Sequence, residues 1–292
     1  MVAGGHTTTT PSSITYSSVV SRDSVRIALT IAALNGLKVR ACDIQNAYLT
    51  APCRERIWTV AGPEFGSDAG KNMLIVRALY GLKSSGASYR SFFADMLHEI
   101  GFQPSMADPD VWMRPAIKDN GFKYWEYILC YVDDVLCIHE DPSIALKQIA
   151  RKFKLKDDKM DEPDIYLGAG LSKMDNEDGD ECWAMSSDKY CAAFVTNVEE
   201  SLEKKGLRLP SKCVTPLSSG YKPELDTTGE LKADGLQWYQ EIIGSLRWAV
   251  ELGRVDILLE TSIMSQYLAM PREGHLEQVL HIVGYLKSHK KF

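Results

Sequence analysis

The sequence predicts an α+β protein, and three observations carry that expectation. Between Leu37 and Leu171, strand and helix patterns follow in the order strand, helix, hairpin, helix, strand. Within that stretch the apolar run Tyr127–Ile138 is broken only by the adjacent carboxylates Asp133 and Asp134. After about Leu217 the strand signals stop and three helical patterns follow. The order of the first part is that of a split βαβ, ferredoxin-like unit.

Each element follows from local signals. Residues 1–13 are rich in Gly, Thr and Ser and show no periodicity. Ser21 suits a helix N-cap, Val25, Leu29 and Ala32 recur on one face, and Gly36 suits the position after the helix. The segment Leu37–Ile44 reads as a strand carrying Asp43 near its end. Two more strands are expected at Arg56–Val60 and Met73–Arg77. A helix is expected over Ser84–Ile100, with Phe92, Phe93, Met96, Leu97 and Ile100 on or near its apolar side and Gly101 closing it. The run Tyr127–Ile138 follows as a hairpin with the Asp pair at its tip. Asp141-Pro142 starts the next helix, with Ile144, Ala145, Ile149 and Phe153 along it. Asp164–Leu171 is expected as a strand. The stretch from Pro216 to Pro223 reads as a linker. Helices are then expected at Leu236–Leu252, Val255–Ala269 and Gly274–Ser288. The domain division that results is 1–215 and a helical region 216–292.

The carboxylates point to chemistry. Two ionised groups inside an apolar run cost several kcal/mol each unless compensated. A bound hard cation such as magnesium is the usual compensation, taken by oxygen ligands. Asp43 adds a third carboxylate at the end of a neighbouring strand. One Asp on one strand and two on a hairpin suit two divalent ions, which clamp the attacking and leaving oxygens of a phosphoryl transfer. An isolated Asp-Asp pair would read instead as an ordinary turn.

Composition narrows the class. The 292 residues are 45% hydrophobic, enough for one large or two modest domains. Seven cysteines, odd in number and without a CxxC pair, read as free thiols in a reducing compartment, not as a disulfide frame or zinc site. No basic and apolar leader opens the sequence and no apolar run reaches membrane length, so an intracellular, cytoplasmic protein is expected. The net charge of −6 counts against tight nucleic-acid binding by the chain as a whole. Acidic clusters at Asp157-Asp158, Asp161-Glu162 and Asp175 to Glu181 supply much of it and read as solvated loops. The basic tail Lys287–Phe292 reads as a frayed end that could touch phosphates.

The motifs together resemble a known family. Tyr131-Val132-Asp133-Asp134 is similar to the Tyr-x-Asp-Asp box of reverse transcriptases, and Asp43-Ile-Gln-Asn-Ala-Tyr-Leu49 to the Asp box before it. Leu79-Tyr-Gly-Leu-Lys83 resembles the substrate segment of copia-type LTR retrotransposons. Ser18–Ser24, Gly101-Phe102 with Asp108-Pro109, Tyr166-Leu-Gly168 and Gly244-Ser-Leu-Arg247 match in the same order along nearly the whole chain.

The resemblance implies a palm fold with partial fingers, and a helical thumb or connection region after residue 215. It implies an RNA-directed DNA polymerase using two Mg²⁺ ions, with Mn²⁺ as a substitute. Its partners would be an RNA or DNA template with primer and deoxynucleoside triphosphates, with a polymerase dimer as a further option and no membrane. An intact element would place it in a virus-like particle. Asp43 and Asp133 would ligate both ions and Asp134 would contribute less. Ala47, Tyr48, Tyr80, Gly81 and Lys83 would form the nucleotide side, Tyr48 as the gate against a ribose 2′-hydroxyl. Tyr166, Leu167 and Gly168 would hold the primer end. Where the family continues Gln-Ala-Pro-Arg after the Lys, this chain has Ser84-Ser-Gly-Ala87. The upstream fingers hairpin and the downstream ribonuclease H domain have no counterpart in the sequence, so a fragment of a Pol polyprotein, or the product of a truncated copy, is expected. Two other readings are an inactive remnant that binds nucleic acid or a partner, and a metal-dependent nuclease using the same Asp trio.

Overall fold

The computed structural model describes residues 2–290, and the chain divides into two compact units, up to Pro163 and from Asp164. In the first unit α1 (Arg22–Leu34) starts at Ser21, whose hydroxyl accepts the Ser24 amide at 3.1 Å. Val25, Ala28, Leu29 and Ala32 are its buried face, and Gly36 takes φ 56° just past its end. Asp108 joins two of the sequence motifs here. Its Oδ2 accepts from the Ser21 amide and the Ser24 hydroxyl, at 3.0 and 2.7 Å. Burial alone would raise the Asp108 carboxyl, but these bonds and the Asp110 amide hold it below its usual value. The Ser18–Ser24 and Asp108-Pro109 segments are therefore structural partners across 87 residues.

The next elements are β1 (Lys38–Asp43), α2 (Ala47–Thr50), β2 (Trp58–Val60), β3 (Asn72–Leu74) and α3 (Ser85–Glu99). They are followed by β4 (Gln103–Pro104), β5 (Val111–Ile117), β6 (Lys123–Tyr131), β7 (Asp134–His139) and α4 (Ser143–Ala150). A five-stranded antiparallel sheet has the order β1-β7-β6-β5-β4, while β2 and β3 pair as a separate ribbon. The central strand β7 is buried along Val135–His139 and only Asp134 is half-exposed. Side chains of α3, α4 and the sheet form one core that includes Phe93, Met96, Leu97, Phe102, Ile128, Leu146 and Phe153.

This confirms the expected mixed α+β class and alters the expected topology. The order β1-β7-β6 is the strand, second hairpin arm, first hairpin arm order of a split βαβ unit. The expected last strand, Asp164–Leu171, does not join it. The place beside β1 holds only two isolated bridges, Ala41 with Asp161 and Ile44 with Leu155. Asp157 and Asp158 adopt φ 54° and 52°, which no strand tolerates, and Pro163 follows. Two strands passed over in the sequence, β4 and β5, extend the opposite edge. The helix expected from Asp141-Pro142 begins at Ser143, though Asp141 Oδ1 still accepts the Ser143 amide at 3.1 Å. Of the apolar residues expected along it, Ala145 and Ile149 are buried and Ile144 is exposed.

The second unit opens with β8 (Ile165–Tyr166), β9 (Ala169–Asp175) and β10 (Glu181–Ser186), an antiparallel sheet of its own. Then come α5 (Asp188–Glu203), α6 (Ala233–Glu251), α7 (Leu258–Ser265) and α8 (Glu273–Ser288). The three expected C-terminal helices are present, α7 in shortened form. A second core joins α5 to them through Phe194, Val198, Leu202, Tyr239, Leu246, Met264, Ile282 and Val283. The composition change near Leu217 falls inside this unit, where Leu217 and Tyr221 pack on the same core. All seven cysteines are free thiols. In the basic tail Lys287 pairs with Glu199 at 2.6 Å, while Lys291 and Phe292 lie outside the described residues. No helix among the described residues is long and apolar enough to cross a membrane.

Candidate active site

Tyr131 and Asp134 are register partners, so a two-residue loop, Val132-Asp133, reverses the chain between β6 and β7. Val132 takes φ 56°, a conformation unfavourable for a β-branched residue. Strain of this kind costs roughly 1–3 kcal/mol and persists only where surroundings enforce it. The Ile44 amide donates to Asp133 O at 2.9 Å and fastens the tip to the residue after Asp43. Asp43 and Asp134 are themselves register partners across β1 and β7. The sequence-predicted trio is thus gathered at one end of the sheet.

Carboxylates directly opposite one another repel. Burial first, then Asp133 and Asp43, push the Asp134 carboxyl up to about 6, against an offset from Lys156. Burial, with Asp43 and Asp134, pushes the Cys42 thiol up to about 12. Lys156 Nζ lies 3.2 Å from Asp43 Oδ2, and that hydrogen bond holds Lys156 above its usual value. No three His, Cys, Asp or Glu side chains among the described residues are already assembled as a metal site. The fit to a hard cation therefore lies in the chemistry: carboxylate oxygen donors at one end of the sheet, with negative charge that the exposed Lys156 partly offsets.

Three tyrosines cluster beside this turn. Asn46, in the left-handed conformation that Asn tolerates, turns the chain from β1 into α2. Ala47 is buried in the first core, and Tyr48 follows it. The Tyr48 ring stacks on Tyr80 at 4.8 Å and 21°, and sits 5.9 Å from Tyr89. Burial and then Asp133 raise the phenols of Tyr48 and Tyr80, which places both rings in the field of the turn.

The rest of the expected nucleotide segment is engaged by the protein itself. Gly81 has φ 93°, and a Cβ there would stand 2.1 Å from Ala3 O. The close backbone approach at this glycine is made by residues 2–5, where the Ala3 amide donates to Tyr80 O at 2.7 Å. Lys83 Nζ donates to Thr8 O at 2.8 Å. Tyr166, Leu167 and Gly168 belong to the second unit, whereas the carboxylates belong to the first. Leu167 and Gly168 form a two-residue hairpin turn, both at positive φ. The sequence reading missed Lys156, hidden in a run that reads as a solvated acidic loop. It also missed Tyr89, which looks like one more core aromatic of α3.

Comparison with known proteins identifies the family of the chain. Residues 2–197 match the family described as reverse transcriptase (RNA-dependent DNA polymerase), and the chain belongs to that family. Its relatives are retrotransposon Pol polyproteins of the copia type. It is 26% identical over 277 residues to the retrovirus-related Pol polyprotein from transposon RE1 of Arabidopsis thaliana, covering 93% of this chain and 17% of that protein. It is 26% identical over 283 residues to the corresponding polyprotein from transposon TNT 1-94 of Nicotiana tabacum, 94% of this chain and 20% of the relative. The putative transposon Ty5-1 protein of Saccharomyces cerevisiae is 26% identical over 249 residues, 84% of this chain and 74% of the relative. The chain thus spans about a fifth of the length of the first two. No solved structure gives a significant match.

Proposed function

We propose that the chain carries the polymerase active site of a copia-type reverse transcriptase, adding deoxynucleotides to a primer 3′-hydroxyl on an RNA or DNA template. One observation carries this reading: Asp43 and Asp134 are register partners beside a turn that presents Asp133, with the stacked Tyr48 and Tyr80 in that turn's field. Residues 1–215 would then be partial fingers and palm, and 216–292 the thumb or connection. Two Mg²⁺ ions, or Mn²⁺, held by Asp43 and Asp133 with a smaller part for Asp134, would neutralise the charge that develops on the attacking and leaving oxygens. Tyr48, braced by Tyr80 and by the short helix that begins at Ala47, excludes a ribose 2′-hydroxyl by shape. Tyr80 and Lys83 support that wall through their bonds to Ala3 and Thr8, with Gly81 allowing the close approach of Ala3. Lys156 offsets the charge on Asp43. Tyr166, Leu167 and Gly168 provide a rigid turn for the primer end.

A second reading is a non-catalytic fold that only binds nucleic acid or a partner. The engagement of Lys83 by Thr8 and the net charge of −6 favour it. Primer extension on an RNA template separates the two. Divalent-dependent synthesis that Asp43→Asn and Asp133→Asn each remove supports the polymerase. Synthesis that survives both substitutions rejects this site, and template binding without any synthesis favours the second reading.

A further inference from the structure

Behind the Val132-Asp133 turn, the first unit contains a cavity of about 20 Å³ whose lining includes Ser18, Tyr89, Arg90, Asp110, Cys130 and Val132. Two residues of that lining each carry a buried polar atom with no protein partner: the Tyr89 hydroxyl and Asp110 Oδ2. Both residues are deeply buried, with 2% and 3% of their surface exposed. The other Asp110 oxygen, Oδ1, accepts from Arg90 Nε at 2.8 Å. Proteins rarely leave such atoms unmet, and ordered water is the usual partner where room and polar groups coincide. A cavity of roughly 10–15 Å³ or more admits one water molecule.

The chemistry of the two atoms is complementary. A phenol can donate and a carboxylate can only accept. A water within reach of both would satisfy them, accepting from Tyr89 and donating to Asp110. The site also sits where several segments are tied together. The Cys130 amide donates to Asp110 O, and the Val20 amide donates to Cys130 O, both at 3.0 Å. Cys130 lies two residues before Val132, whose unfavourable backbone needs support from behind.

We propose that one ordered water fills this cavity, accepting from the Tyr89 hydroxyl and donating to Asp110 Oδ2. Through it Tyr89 and Asp110 act as positioning residues for the turn that carries Asp133. The importance of that turn for catalysis rests on the polymerase reading, and the water itself does not.

The test compares the whole chain with Tyr89→Phe, which keeps the ring and removes one oxygen. A crystal structure of the wild type should show a water within hydrogen-bond distance of both atoms. An empty cavity, or a direct bond from Tyr89 to Asp110, overturns the proposal. In Tyr89→Phe, hydrogen exchange at the Ile44 amide, which reports the tie to Asp133, should speed up about tenfold, the scale of one hydrogen bond's net contribution. The Leu37 amide, bonded to Ala32 O at the far end of β1, should exchange as in wild type. Equal acceleration at both amides means general destabilisation and overturns the positioning role, as does an unchanged Ile44. Primer extension that survives Asp133→Asn would instead sink the polymerase reading and leave these readouts intact.

Discussion

Asp134 is where charge and burial conflict most openly. Its folded-state value, about 6, lies above the ordinary 3.8, so the folded protein binds this proton more tightly than the unfolded chain does. The stabilisation is complete below the ordinary value and is lost as pH rises through about 6. At neutral pH the ionised group is a net cost. Asp134→Asn should therefore raise stability at neutral pH by about 1–2 kcal/mol, after allowing for solvent around a half-buried group. It should also flatten the pH dependence between 4 and 6. Urea midpoints check both, and a neutral-pH midpoint below that of wild type would refute the repulsion. Tyr48 gives a second test at this scale. In primer extension Tyr48→Ala should raise ribonucleotide use relative to deoxynucleotide, and unchanged selectivity would reduce Tyr48 to a packing residue. All three carboxylates and Tyr48 were readable from the sequence because motif spacing marks them. Lys156 was not, because its approach to Asp43 spans 113 residues.

Among the elements, β5 and β6 are locked by a buried charge network. Arg114 donates from Nε and Nη2 to Glu126 Oε2 at 2.9 and 2.6 Å, and His139 Nε2 meets Oε1 at 2.7 Å. Burial would raise the Glu126 carboxyl, but hydrogen bonds from His139 and Arg114 hold it below its usual value. Its stabilisation is therefore present above the ordinary carboxylate range and lost in acid. Arg114→Ala leaves this buried carboxylate with His139 alone and should cost about 3–5 kcal/mol. A loss under 1 kcal/mol by thermal or urea unfolding would contradict the network. The strand that carries Arg114 escaped the sequence reading because Pro115 argues against a central strand. The structure resolves this: β4 pairs only at Trp112 and Met113, so Pro115 lies on an open edge where a missing amide donor is tolerated. Helix α5 was passed over in the sequence, although Cys191, Phe194, Val195, Val198 and Leu202 form its buried face at helical spacing. The acidic run before it reads as loop and masks the start.

At the scale of the whole molecule the chain holds two cores, and the residues of each come from one unit alone. Residues 164–292 by themselves should unfold in a single cooperative transition, and a gradual, non-cooperative melt would contradict an independent second core. The fold class and the helical region from residue 216 were legible from periodicity. The fate of the expected strand beside β1 was not, because the left-handed backbone at Asp157 and Asp158 has no signature in composition. The central claim is that the end of the sheet bearing Asp43, Asp133 and Asp134 is a divalent-cation site. Thermal unfolding with and without Mg²⁺ or Mn²⁺ tests it most directly. A ligand at a hundred times its dissociation constant stabilises by about 2.7 kcal/mol. The wild type should gain stability of this order, and Asp43→Asn and Asp133→Asn should each remove the gain. A wild-type transition that ignores saturating Mn²⁺, or a gain that survives both substitutions, would contradict the account.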